Sequence, residues 1–270
     1  MPGIACGSRI YWNDSLRFLI LLDAFSRATC FSLEASVGWD NKQEKRKNEE
    51  VGVQEERNTH YTIQSTVSKN VEFNWVLEFT VRCTEHDAHN NAVGNGKIVA
   101  ELNGFVCDPG YLPGTEGYDA TFDVFDSRSG HAAEAFDVIA DNLKLIDTRL
   151  GQADFNLECT GIVVLERGFV SPEHRGSRLL LRLMREVRHI MSTPVRMAIL
   201  KSHPDGDHSS DEDCRKLARY YASDSDLSLI ELDSKNLVGW MVADWSEPAV
   251  LGADSSVWSF REVTAFPAEA

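Results

Sequence analysis

The chain has 270 residues, enough for one large domain or two small ones with a sizeable core. Its 27 basic residues are outweighed by 42 acidic ones, a formal net charge of −15. That balance argues against general binding to nucleic acid or to an anionic membrane, which needs a basic surface. It favours a cationic substrate such as an amine, beside the plain alternative of charge that serves solubility.

Residues 1–69 read as an N-terminal extension. Asn41 to Asn58 is almost wholly polar and charged, the composition of a linker or a disordered segment. From Val71 the pattern changes: Phe73, Trp75, Leu77, Phe79 and Val81 alternate with Asn74, Val76, Glu78 and Thr80, a strand with one buried face. Asn90, Asn91, Gly94, Asn95 and Gly96 supply turn residues. Lys97 to Val106 then reads as a second strand, so the pair predicts an antiparallel hairpin. Cys107-Asp108-Pro109-Gly110 and Pro113-Gly114 mark a turn-rich stretch. Ser129 is a candidate N-cap, and the spacing of Ala135, Phe136, Ile139, Ala140 and Leu143 predicts a helix over 132–145.

Gly161 to Met191 is the most informative stretch. Ile162 to Leu165 is a short apolar run, as in a central strand, and Pro172 should end that strand near Val170. A polar turn, Glu173 to Ser177, leads into an amphipathic helix with Leu180, Leu183, Met184, Val187, Ile190 and Met191 at helical spacing. Such a unit points free backbone N–H groups and the helix dipole at one spot, and Arg175 and Arg178 add full charges. The site suits a pyrophosphate; the plain alternative is a strand–turn–helix unit with solvated arginines. Val195 to Leu200 predicts another buried strand, parallel to the first if the helix is a right-handed crossover. Ser210 with Asp213 looks like a capping-box variant for a helix from Asp211 to about Ser223. Leu227–Leu232 and Val238–Trp245 read as closing strands, and 247–270 as a tail.

No run of about 18 uncharged apolar residues exists, so no transmembrane helix is expected and a cytoplasmic location is the default. The six cysteines form no CxxC pair, and several read as buried free thiols. Cys83-x-x-His86-x-x-His89, with Cys107, has metal-ligating residue types without a standard zinc spacing, and reads as ordinary loop residues.

Val170-x-Pro172-Glu173-His174-Arg175-Gly176 followed by a Leu-rich helix resembles the acetyl-CoA-binding motif of the GNAT acyltransferases. That motif reads Arg/Gln-x-x-Gly-x-Gly/Ala after a strand ending Val-x-Pro-Glu. Arg175 takes its first position, then come Gly176 and Ser177, while Arg178 and Leu180 stand at the two small-residue positions. Arg215 to Ala222 resembles a second GNAT signature, a helix ending in tyrosine, here followed by Asp224-Ser225-Asp226 in place of a Leu-Gly-Phe turn. In the family a glycine often interrupts the second hairpin strand, where Gly104 stands.

The resemblance covers roughly Val71 to Trp245 and implies an α/β fold, a GNAT-like mixed central sheet with helices on both faces. It divides the chain into the extension 1–69, an acyltransferase domain 70–246 and the tail. It also implies that the cofactor strand splays from its parallel neighbour, leaving a V-shaped cleft. The implied function is transfer of an acetyl group from acetyl-CoA to a primary amine by direct attack. Phe169 and Val170 would pair with the pantetheine, and Arg175, Gly176, Ser177, Arg178, Leu179 and Leu180 would surround the pyrophosphate. Tyr221 aligns with the tyrosine that serves as general acid, with Tyr220 its neighbour; the plain reading is a core tyrosine. Glu166 would act as base, directly or through water; its plain reading is a salt bridge with Arg167 or a neighbouring strand. The acceptor is a small-molecule or protein amine, and a homodimer stays open as the assembly. The alternative is a catalytically inactive GNAT-like domain that binds CoA or a protein partner.

Overall fold

A computed structural model describes residues 30–37, 59–87, 96–109, 117–151, 161–191, 195–204, 209–234, 236–246 and 258–261. The polar segment 41–58 and most of the tail lie outside them. The described strands are β1 (Cys30–Val37), β2 (Thr59–Lys69), β3 (Val76–Asp87), β4 (Lys97–Cys107), β5 (Gly161–Val170), β6 (Val195–Lys201), β7 (Ile230–Glu231), β8 (Trp240–Asp244) and β9 (Trp258–Arg261). The described helices are α1 (Gly117–Arg128), α2 (Gly130–Asp141), α3 (Leu143–Leu150), α4 (Leu179–Met191) and α5 (Asp211–Ala222).

The strands form one mixed sheet in the order β7-β8-β6-β5-β4-β3-β2-β1-β9. β5 and β6 run parallel, joined by α4; every other described pair is antiparallel. This follows from β5 itself. Ile162, Val163 and Val164 are wholly buried, so both faces of the strand must be covered, as a parallel strand with a helical crossover requires. Helices cover the two faces. On one, α4 and α5 bury Leu181, Leu183, Met184 and Tyr221 against Val163 and Leu165. On the other, α1, α2 and α3 bury Phe125, Phe136, Ile139 and Ile146 against Ile162, Val164 and Phe105.

The predicted hairpin is β3 and β4, with Val76 opposite Cys107. Its first strand starts at Val76 and not at Val71. The Asn70 side-chain oxygen accepts from the backbone N–H groups of Glu72 and Phe73 at 2.9 and 2.8 Å, bending that stretch into a turn. Phe73 and Trp75 instead stack edge to face and pack against the core on the α1–α3 side. Thr59–Lys69, within the stretch read as extension, is an eleven-residue strand paired along β3. The predicted helix over 132–145 is two helices that break at Asn142, whose side chain donates to the Val138 carbonyl at 2.8 Å. Ser129 caps α2 by accepting from Ala132 N–H at 3.0 Å, and Ser210 and Asp213 form the expected capping box of α5. Strand 227–232 shrinks to two residues: Leu227 closes a turn onto Asp224, and Ser228 takes a positive φ of 51°. Among the described residues no helix is long and apolar enough to cross a membrane.

Candidate functional site

The site forms where β5 and β6 part. Their pairing runs from Gly161↔Val195 to Leu165↔Leu200 and stops, while β5 continues to Val170 against β4. The β4–β5 register also shifts here: Asn103 faces Arg167, and Gly104 faces Leu165. Glu166 is therefore the extra residue of a bulge, a device that sharpens twist and re-aims a side chain. Gly104 makes it sterically feasible. A Cβ there would lie 2.1 Å from the Val164 carbonyl oxygen and 2.5 Å from Phe79 Cζ.

The parted strands open a cleft of about 330 Å³. Leu180, Met184 and Tyr221 line it from the α4 and α5 side. From the opposite face come His131 and Glu134 of α2, with Lys201 of β6. Glu166, Arg167 and Gly168 form the β5 wall. One half of the cleft is apolar and the other charged.

Glu166 is fixed from two directions. Ser129 Oγ donates to its Oε1 at 3.1 Å, and Arg128 Nη2 lies 3.5 Å from its Oε2. Arg128 is itself seated over the Phe105 ring at 4.3 Å and pairs with Glu78 at 2.8 Å. The ion-pair partner of Glu166 thus comes from α1, in place of the expected Arg167 or a neighbouring strand. Tyr221 is buried in the last turn of α5 and reaches the cleft. Tyr220 stands beside it, ring centroids 5.7 Å apart, and lies outside the cleft lining. Burial raises the Tyr220 hydroxyl pKa above its ordinary value.

The expected cofactor residues follow in order along one path. Phe169 and Val170 end β5, opposite Glu101 and Ala100 of β4. A 3₁₀ turn, Pro172–His174, follows, pinned by His174. Its Nδ1 lies 2.8 Å from Ser171 Oγ, and its Nε2 lies 3.4 Å from both Tyr61 Oη and Glu85 Oε2. Arg175, Gly176, Ser177 and Arg178 are exposed, and α4 begins at Leu179. Arg178 has φ 61°, the left-handed region in which glycine is at ease. Its guanidinium is drawn away from the loop to the buried Asp224, at 3.2 Å, where Arg185 also pairs at 2.6 Å. Leu180 turns into the cleft and lies over Gly168, where a Cβ would come within 2.8 Å of its Cδ1.

Sequence reasoning missed the charged half of the cleft. His131 stacks on Trp240, centroids 5.4 Å apart and planes 6° from parallel. Its Nε2 is buried without a hydrogen-bond partner. Burial lowers the imidazole pKa below its ordinary value, against the opposing pull of Glu134 and Glu166. Lys201 bonds Glu134 at 2.5 Å. The one sequence signal was local: His131 stands two residues after the α2 N-cap, and nothing in its spacing points to β5.

The Cys83/His86/Cys107 set is not brought together. Cys83 faces Ala100 in mid-hairpin while Cys107 faces Val76 at its far end. Burial pushes the two thiols up to about 11 and about 12. His86 Nε2 instead lies 2.8 Å from Thr62 Oγ1, and His89 falls outside the described residues. No protein-family model matches the chain, and no curated protein sequence matches it.

Proposed function

We propose that the protein is an N-acetyltransferase of the GNAT type, transferring an acetyl group from acetyl-CoA to a primary amine by direct attack. The observation that carries this reading is the parting of the parallel pair β5 and β6 at the Glu166 bulge. It leaves a through-sheet cleft beside a strand edge and a helix N-terminus. A free strand edge at Phe169 and Val170 suits the amide groups of pantetheine, as an added strand would use it. The N-terminus of α4, with Arg175 exposed beside it, suits the pyrophosphate. Arg178 does not supply the second charge, because Asp224 holds it.

The amine nitrogen attacks the thioester carbon; the new C–N bond forms and the C–S bond breaks. Tyr221, on the apolar side, is the residue to protonate the departing thiolate. Glu166, held by Ser129 and Arg128, gives the incoming ammonium a fixed carboxylate. A second reading rests on two observations: Leu180 lies over Gly168, and Arg178 occupies a glycine-like conformation. Both narrow the cofactor path and favour a GNAT-like domain without catalysis.

Titration calorimetry with acetyl-CoA separates the two, run on the wild type and on Arg175→Ala. Micromolar binding that weakens at least tenfold in the variant, with thiol release when amines are added, supports the enzyme. No binding at millimolar acetyl-CoA removes the acetyltransferase reading.

A further inference from the structure

Within the acetyltransferase reading, on which this inference rests, we propose that His131 is the catalytic proton acceptor for the attacking amine. The acetyltransferase motifs left that role to Glu166, and the geometry moves it. Both carboxylate oxygens of Glu166 are already engaged, one by Ser129 Oγ and the other by the Arg128 guanidinium. The carboxylate is thus held in place and already committed to two partners. Its role is then to attract and orient an ammonium group.

His131 has the complementary properties. It lines the same cleft, on the charged side facing Tyr221 across the sheet. Its ring is clamped flat against Trp240, which fixes its orientation. Its Nε2 is buried without a hydrogen-bond partner, so the protein itself leaves that ring nitrogen unused. The charged and titratable groups around it are Glu134 on its own helix, Glu166 on β5, Lys201 on β6 and His203 just beyond. Burial outweighs the two carboxylates and keeps the imidazole neutral near pH 7, the form that takes a proton.

The proton balance closes. The substrate ammonium gives one proton to His131 and becomes the nucleophile. As the C–N bond forms, the nitrogen loses its second proton to solvent. The thiolate takes a proton from Tyr221, whose hydroxyl is restored from the imidazolium through water.

The test uses the full-length protein in three measurements. First, acetyl-CoA calorimetry on the wild type and on His131→Gln, which keeps a polar side chain and cannot accept the proton. Second, thiol release with a panel of small primary amines across a pH range. Third, nitrogen NMR of histidine-labelled wild-type protein, which reads the charge and tautomer of His131 without any turnover. The expected result is unchanged acetyl-CoA affinity and about a hundredfold loss of kcat/KM in His131→Gln. The acidic limb of the wild-type pH profile, which tracks the imidazole, vanishes in the variant, and His131 is neutral at pH 7 by NMR. Equal turnover and an unchanged pH profile in His131→Gln overturn the assignment while leaving the acetyltransferase standing. An imidazolium at pH 7 overturns it even if the variant fails to fold. Absence of acetyl-CoA binding by the wild type overturns both.

Discussion

Gly104→Ala should be one of the costliest single-methyl additions in the sheet. The new Cβ would lie 2.1 Å from the Val164 carbonyl oxygen, where contacts below 3.0 Å essentially never occur. The atoms must therefore separate by about 1 Å. Neither neighbour yields easily. Val164 is paired on both sides, with Phe105 of β4 and Ile199 of β6, and Phe79 is buried in the core. Overpacking in a well-packed core costs about 1–3 kcal/mol, and contact with a paired backbone carbonyl on one side and a buried aromatic ring on the other puts this site at the upper end. Urea unfolding followed through the buried Trp240 and Trp245 measures it. With a slope of about 3 kcal/mol/M, a loss of about 3 kcal/mol lowers the midpoint by about 1 M. Gly130→Ala, at the first residue of α2, is the control: no atom lies within 4 Å of its Cβ, so its midpoint should not fall below that of the wild type. A Gly104→Ala midpoint within about 0.2 M of the wild type would refute the argument, because the bulge would then not depend on the missing side chain.

Arg178→Gly relieves a left-handed backbone while Arg185 keeps its hold on Asp224, so stability should stay within about 1 kcal/mol of the wild type. Arg178→Ala loses the ion pair and keeps the strain, and should be less stable than the glycine variant by about 1 kcal/mol; equal melting temperatures would contradict this. Glu186 is buried with its Oε2 unpartnered, and burial raises its pKa despite Arg182 nearby. A raised carboxyl pKa favours the folded state at low pH, and that contribution falls away as pH climbs from the unfolded value through the folded one. Glu186→Gln should therefore raise the melting temperature at about pH 7 and not at about pH 4, and a gain of equal size at both would count against the account. Cys83 and Cys107, buried with raised pKa values, should resist a brief iodoacetamide pulse in the native protein and react after unfolding; peptide mapping reads both.

The elements that local chemistry specifies were legible in the sequence. The apolar run of β5, its stop before Pro172, the stripe of α4 and the caps at Ser129 and Ser210 depend on residues a few positions apart. The parallel β5–α4–β6 unit followed from the same signals, because a crossover helix admits little else. The Asn70 turn was also local, yet the alternation of Phe73 to Val81 masked it. Tertiary structure decided the rest. Thr59–Lys69 is a strand because β3 offers it an edge, although its polar alternation resembles a solvated segment. Glu166 is aimed by a bulge that depends on Gly104, 62 positions earlier by the numbering, and is held by Ser129, 37 positions earlier, and its neighbour Arg128. His131 meets Trp240 and the cleft only because α2 packs on the face of the sheet where β5 and β6 diverge. Sequence spacing carries information about neighbours on one helix or strand; which distant side chains share a cleft depends on strand register and helix packing, and those are settled when the whole core closes.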